Sequence, residues 1–149
     1  MQRQAQFFIK TALVQLLVAM LLGALLLIGQ GLRLGGLGAL LPVYYHLLML
    51  GWATQLIGGV ALWMFPPLSR EQPRGDERLG WFAYGALNGG LLLRAVAEPA
   101  NAAAPRSAWG IALALAALLQ VLAIFALVLA LWPRVKGRPP AAPRRREEA

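Results

Sequence analysis

Residues 44–67 read YYHLLMLGWATQLIGGVALWMFPP. Between His46 and the Pro66-Pro67 stop there is no charged side chain, and Thr54 and Gln55 are the main polar ones. The apolar run begins at Leu41, opens on Pro42 and ends at Phe65, long enough to cross a hydrocarbon layer of roughly 30 Å as one helix. Working outward, three further runs have the same character. They cover about residues 7–28, 79–97 and 107–132, the third stopping at Pro99 and the fourth lying between Pro105 and Pro133. No proline falls in the interior of a span, as an unbroken backbone ladder in lipid requires.

The composition agrees. The chain of 149 residues is 59% hydrophobic and 13% charged, against about 25% charged in ordinary soluble domains. The expectation is an all-α, four-helix transmembrane bundle over residues 1–133, followed by a basic, Pro- and Arg-rich tail over 134–149 with little to bury. A retained first helix is expected rather than a cleaved signal, because its apolar stretch exceeds about 15 residues and no A-x-A site follows.

Of the 14 Lys and Arg residues, all but Arg33, Arg94 and Arg106 fall in the N-terminal segment, the loop after the second span and the tail. These three segments share one side of a four-span protein. The positive-inside rule puts that side, and both termini, in the cytoplasm, with a bacterial plasma (inner) membrane the expected location. Phe7, Phe8, Trp63, Trp81 and Trp132 would mark the inner boundary, and Tyr44, Tyr45 and Trp109 the outer one. The formal net charge of +8 is thereby explained by topology, and no nucleic acid is expected as a partner.

The chain has no cysteine and one histidine. Disulfides, thiolate metal sites and a single-chain bis-histidine haem are therefore excluded, and Glu98 is the one carboxylate in the spans or outer loops. Nothing in the sequence assembles self-contained catalysis. His46, Arg94 and Glu98 are expected at similar depth near the outer face, Arg94 and Glu98 one turn apart and able to pair. The trio reads either as a haem-binding set, with His46 on iron and Arg94 on propionates, or as an ion-paired cluster fixing helix packing. Gln15, Gln55, Asn88 and Gln120 lie deeper, where amides commonly hydrogen-bond between helices. Gly51, Thr54, Gly58 and Ala61 form a small-residue stripe that suits either close helix contact or a planar cofactor.

The run from Tyr44 to Pro66 resembles a helix in the catalytic subunit of haem–copper oxidases, which has the form H-x-H, a glycine, a Gly-Gly pair and a W-x-P-like end. It is also similar to small four-helix membrane proteins with an H-L-x-x-x-G-W signature that belong loosely to that superfamily. In this resemblance His46 takes the place of the low-spin haem ligand, Tyr44 that of the high-spin ligand, and Gly51, Gly58-Gly59 and WMFP follow at matching or one-off spacing. Tyrosine at 44 removes the high-spin ligand, and the opposite axial histidine and the copper ligands are missing. The resemblance therefore implies a haem-free accessory or assembly subunit packed against a respiratory complex. The alternative it implies is a b-type haem electron-transfer protein, with His46 as axial ligand and Met49, Met20, a partner subunit or His46 of a second copy completing the iron. Lipid, a second copy in a homodimer or a larger respiratory complex are the expected partners.

Overall fold

The computed structural model describes residues 3–66 and 77–135. Among them are four long helices: α1 (Arg3–Gly31), α2 (Leu37–Met64), α3 (Glu77–Ala103) and α4 (Ser107–Leu131). Three, α1, α2 and α4 with its 3₁₀ extension to Arg134, are long and apolar enough to cross a membrane. The third, α3, has the length but carries Asn88, Arg94 and Glu98 within it. Large apolar side chains such as Leu17, Leu21, Ile57, Leu92 and Phe125 are exposed around the bundle. That surface would be costly in water and is ordinary against lipid.

The elements differ from expectation at three places. First, α3 runs through Pro99 to Ala103 instead of stopping before it. A proline removes one N–H and crowds the carbonyl four residues back, a cost the helix bears most easily near its end. Second, α2 is not uniformly α-helical: a 3₁₀ turn (Leu37–Leu40) and an α segment (Leu41–His46) lead into a π-helical stretch (Leu47–Thr54), then α again (Gln55–Met64). Third, the Gly-rich connection is short, because α1 continues to Gly31 and the turn is made by Arg33 (φ 55°) and Gly36 (φ 88°). Gly36 has the left-handed backbone that a side chain would strain.

The helices pack as two antiparallel hairpins, α1 on α2 and α3 on α4. Heptad-like spacings mark each seam: Ala5, Ala12, Ala19 and Leu26 on α1; Gly51, Gln55, Gly58 and Leu62 on α2; Gly80, Ala83, Leu87 and Gly90 on α3; Ala116, Gln120, Ala123 and Leu127 on α4. Small residues at these positions let the backbones approach, which is the main source of helix association where lipid is as apolar as leucine. A core cluster of Ala5, Phe8, Leu62, Ala83, Ala126 and Leu127 fills one end. Phe8 is wholly buried there, so it belongs to the core and not to the interfacial belt, whereas Phe7, Trp63, Trp81 and Trp132 are exposed.

Between the hairpins, α1 and α3 run parallel and share a polar seam at a constant separation. Gln4 Nε2 donates to the Glu77 carbonyl at 2.5 Å, Thr11 Oγ1 and the Tyr84 hydroxyl are hydrogen-bonded at 2.8 Å, and Gln15 Nε2 donates to Asn88 Oδ1 at 2.7 Å. Phe7, Trp81 and Tyr84 meet edge-on around the same seam and Phe8 packs tilted on Tyr84, with ring centroids 5.3–6.1 Å apart.

The second hairpin contact is made by an arginine. Arg134, at the end of the 3₁₀ turn Trp132–Arg134, is buried and donates to three carbonyls at the end of α2: Leu62 (3.2 Å), Phe65 (2.9 Å) and Pro66 (3.3 Å). Pro66 has no N–H, so the Leu62 carbonyl has lost its ordinary helical donor, and the guanidinium replaces it. Arg134 is thus part of the fold and not of a tail. The loop arginines Arg70 and Arg74 and the residues from Lys136 onward lie outside the described residues.

Candidate functional site

The N-terminal half of α2 and the C-terminal half of α3 carry the residues singled out for chemistry. Arg94 Nη1 donates to Glu98 Oε1 at 2.6 Å, with the two side chains 16% and 10% exposed. Each partner neutralises the other, so the pair behaves as a dipole where burial would make a lone charge expensive. Arg94 Nε and Glu98 Oε2 remain buried without a hydrogen-bond partner.

His46 is half-buried and bonds within its own helix: Nδ1 lies 2.7 Å from the Pro42 carbonyl. A carbonyl only accepts, so Nδ1 carries the proton, and in the neutral ring Nε2 then keeps its lone pair. Among the described residues, no hydrogen bond or ion pair links the imidazole to Arg94 or Glu98. Nor do three His, Asp or Glu side chains gather into a metal-binding group there. The expected trio is therefore a pair on α3 and a separate histidine on α2.

The glycine face of α2 is closely filled. A side chain at Gly51 would collide with Gln15 Oε1, one at Gly58 with Leu127 Cδ2 at 2.7 Å, and one at Gly59 with Phe8 Cβ at 2.8 Å. The clearance these glycines provide is already used by α1 and α4, and a haem plane does not fit into it. Thr54 and Ala61, placed on the same stripe by sequence, are half-buried, and Gln55 and Leu62 take the inward positions instead. The π stretch ends at Thr54, whose hydroxyl donates to the Met49 carbonyl five residues back at 2.8 Å. Such turns are rare and gather at functional sites. Nothing in the residues Leu47–Thr54 announces this one.

The four deep amides come one from each helix. Gln15 and Asn88 bond each other, and Asn88 Nδ2 donates back to the Tyr84 carbonyl at 2.8 Å. Gln55 is fully buried, its Nε2 3.4 Å from the Phe8 carbonyl and its Oε1 unpartnered. Gln120 is 5% exposed, and its Nε2 has no partner. A double-mutant cycle pairing Gln15→Leu with Asn88→Leu, read by unfolding in detergent, is expected to give a coupling of about 1 kcal/mol, within the range for amides in membrane bundles. Purely additive effects would mean that the bond contributes nothing to the α1–α3 contact.

Sequence reasoning missed two further elements of this region. Gln4, Thr11 and Gln15 match Glu77, Tyr84 and Asn88 at steps of seven and four, a periodicity visible in the chain once α1 and α3 are known to be parallel neighbours. Arg134 could have been suspected from Pro66, which leaves a carbonyl in need of a donor. Compared with known families, curated proteins and solved structures, the chain shows no match.

Proposed function

We propose that this chain is a non-catalytic accessory or assembly subunit of a respiratory membrane complex related to haem–copper oxidases. It crosses the bacterial plasma membrane four times, with both termini in the cytoplasm. The observation that carries this reading is the filled glycine face: Gly51, Gly58 and Gly59 admit Gln15, Leu127 and Phe8. The positions resembling an oxidase haem helix are thus used for helix packing. The pairing of Arg94 with Glu98 supports it further, since a guanidinium already neutralised is a poorer partner for a propionate. The broad exposed apolar surface gives a larger complex room to pack.

One observation favours the second reading, a b-type haem bound through His46. The Nδ1–H bond to the Pro42 carbonyl is the orienting contact that iron-ligating histidines commonly have, and it leaves Nε2 free. Met49, 60% exposed one turn along, or a group from a partner would then complete the iron. Such a haem would sit outside the packed interior.

Visible spectra of detergent-purified protein from haem-supplied cells, oxidised and then dithionite-reduced, separate the two readings. The accessory reading expects no Soret band, together with co-migration of the chain with an oxidase complex on native gels of mildly solubilised membranes. A Soret band that sharpens on reduction and disappears in His46→Ala would overturn it in favour of haem. Migration of the chain solely on its own would sink the complex.

A further inference from the structure

Toward the turn that joins α1 to α2, the two helices leave a cleft of about 480 Å³ beside their seam. Tyr44 makes its floor: the ring lies across the seam onto Gly23 of α1, where a Cβ would come within 2.9 Å of Tyr44 Cε2. Met20 and Leu27 of α1 and Leu41 of α2 form apolar walls, and all three are exposed on the outside of the bundle. Gln30 and Tyr45 line the same cleft and are exposed as well. Among the described residues no hydrogen bond engages the side chains of Gln30, Tyr44 or Tyr45. Tyr44 is half-buried, yet its hydroxyl is not sealed inside the protein.

The cleft is chemically layered. Along α1, Gln30 lies about 15 Å from Met20 at 1.5 Å per residue, the depth of one leaflet in a hydrocarbon core of roughly 30 Å. Apolar walls are followed by neutral hydrogen-bonding groups, and a cation stands at the mouth. That cation is Arg33, which is exposed and whose backbone nitrogen donates to the Gln30 carbonyl at 3.2 Å. Arg94 is neutralised by Glu98, whereas Arg33 has no ion-pair partner among the described residues. Water can wet the mouth, but it gains nothing against Met20 and Leu27. A helix of a second copy has its carbonyls consumed by its own ladder and leaves the tyrosines and the arginine unmatched.

From this geometry we infer that the cleft binds one anionic phospholipid. An acyl chain lies along Met20 and Leu27 over the Tyr44 ring, the ester carbonyls accept from the neutral groups, and the phosphate faces Arg33. The tyrosines and the glutamine serve any phospholipid, so the preference for net negative charge comes from Arg33. A basic residue near such lipid contributes about 1 kcal/mol, which is about fivefold in occupancy. The inference is independent of the accessory-subunit reading, because it uses neither His46 nor the glycine stripe of α2.

The test places the full chain in phosphatidylcholine nanodiscs with a trace of phospholipid carrying a photoreactive diazirine midway along one acyl chain. The probe is a phosphatidylglycerol in one sample and a phosphatidylcholine in the other, and adducts are mapped by peptide mass spectrometry. Adducts are expected on residues 20–27 of α1 in preference to exposed α4 positions such as Leu118 and Phe125, with about five times as many from phosphatidylglycerol. Arg33→Gln should lower the phosphatidylglycerol adducts to the phosphatidylcholine level and leave the latter unchanged. Arg33 is exposed, so this variant should keep its fold, as circular dichroism will verify. Ala24→Trp fills the cleft and should remove the local adducts of both probes. Labelling spread evenly around the bundle, equal labelling by the two probes, or a preference that survives Arg33→Gln would overturn the inference. So would disulfide-linked dimers formed through Leu27→Cys in native membranes, which would put a second copy in the cleft.

Discussion

Arg134→Ala is expected to lower the unfolding free energy of the bundle by about 3 kcal/mol, read from loss of helicity in a denaturing-detergent or thermal titration. The guanidinium is 3% exposed and satisfies the carbonyls of Leu62, Phe65 and Pro66 at once. Removing it leaves the last turn of α2 without the donor that Pro66 cannot provide and deletes a positive charge from a helix C-terminus. It also releases the clasp holding the end of α4 to the end of α2. Arg134→Lys should recover only part of the loss, because one ammonium cannot reproduce the planar fork that reaches three carbonyls. An alanine variant unfolding with the wild type would show that water replaces the arginine at no cost.

Gly59→Leu is expected to be similarly disruptive, at about 2–3 kcal/mol in the same titration, and Gly58→Leu less so. The difference lies in what each new side chain meets. At Gly59 the first obstacles are Phe8 Cβ at 2.8 Å, Ile9 Cγ1 at 3.0 Å and the Ile9 backbone nitrogen at 3.3 Å, so the whole of α1 must move. At Gly58 they are the methyl ends and branch carbon of Leu127, which a rotamer change can displace. Alanine should reproduce the order on a smaller scale, with Gly58→Ala near neutral. Equal losses at the two positions would mean that α1 and α2 are not held at the separation described.

The functional region was legible unevenly. Arg94 and Glu98 were placed on one face by their four-residue spacing alone, a local fact, and they meet at 2.6 Å. The association of His46 with that pair was an inference from equal depth on two helices, and equal depth does not fix rotation. His46 turns to the Pro42 carbonyl one turn back on its own helix instead. Steps of three and of four from Gly51 and Gly58 fit the same α-helical period, so the sequence placed Thr54 and Ala61 on the packing stripe where the structure buries Gln55 and Leu62. Gln120 was recognised as a deep amide. That its Nε2 would be left without a partner depended on how α4 packs in the bundle.

By itself the sequence determined the helical class, the number of long helices and their approximate extents, because apolar run length and proline positions act locally and lipid tolerates no other spanning backbone within one chain segment. It also marked a small-residue stripe on α2, of which Gly51 and Gly58 are buried in the seam. The tertiary structure decided which seams face each other. It set the parallel register of α1 and α3 that aligns Gln15 with Asn88, the passage of α3 through Pro99, and the capture of α2's end by Arg134. The register and the capture depend on contacts between residues about 70 positions apart, whose energies arise only when both helices are in place.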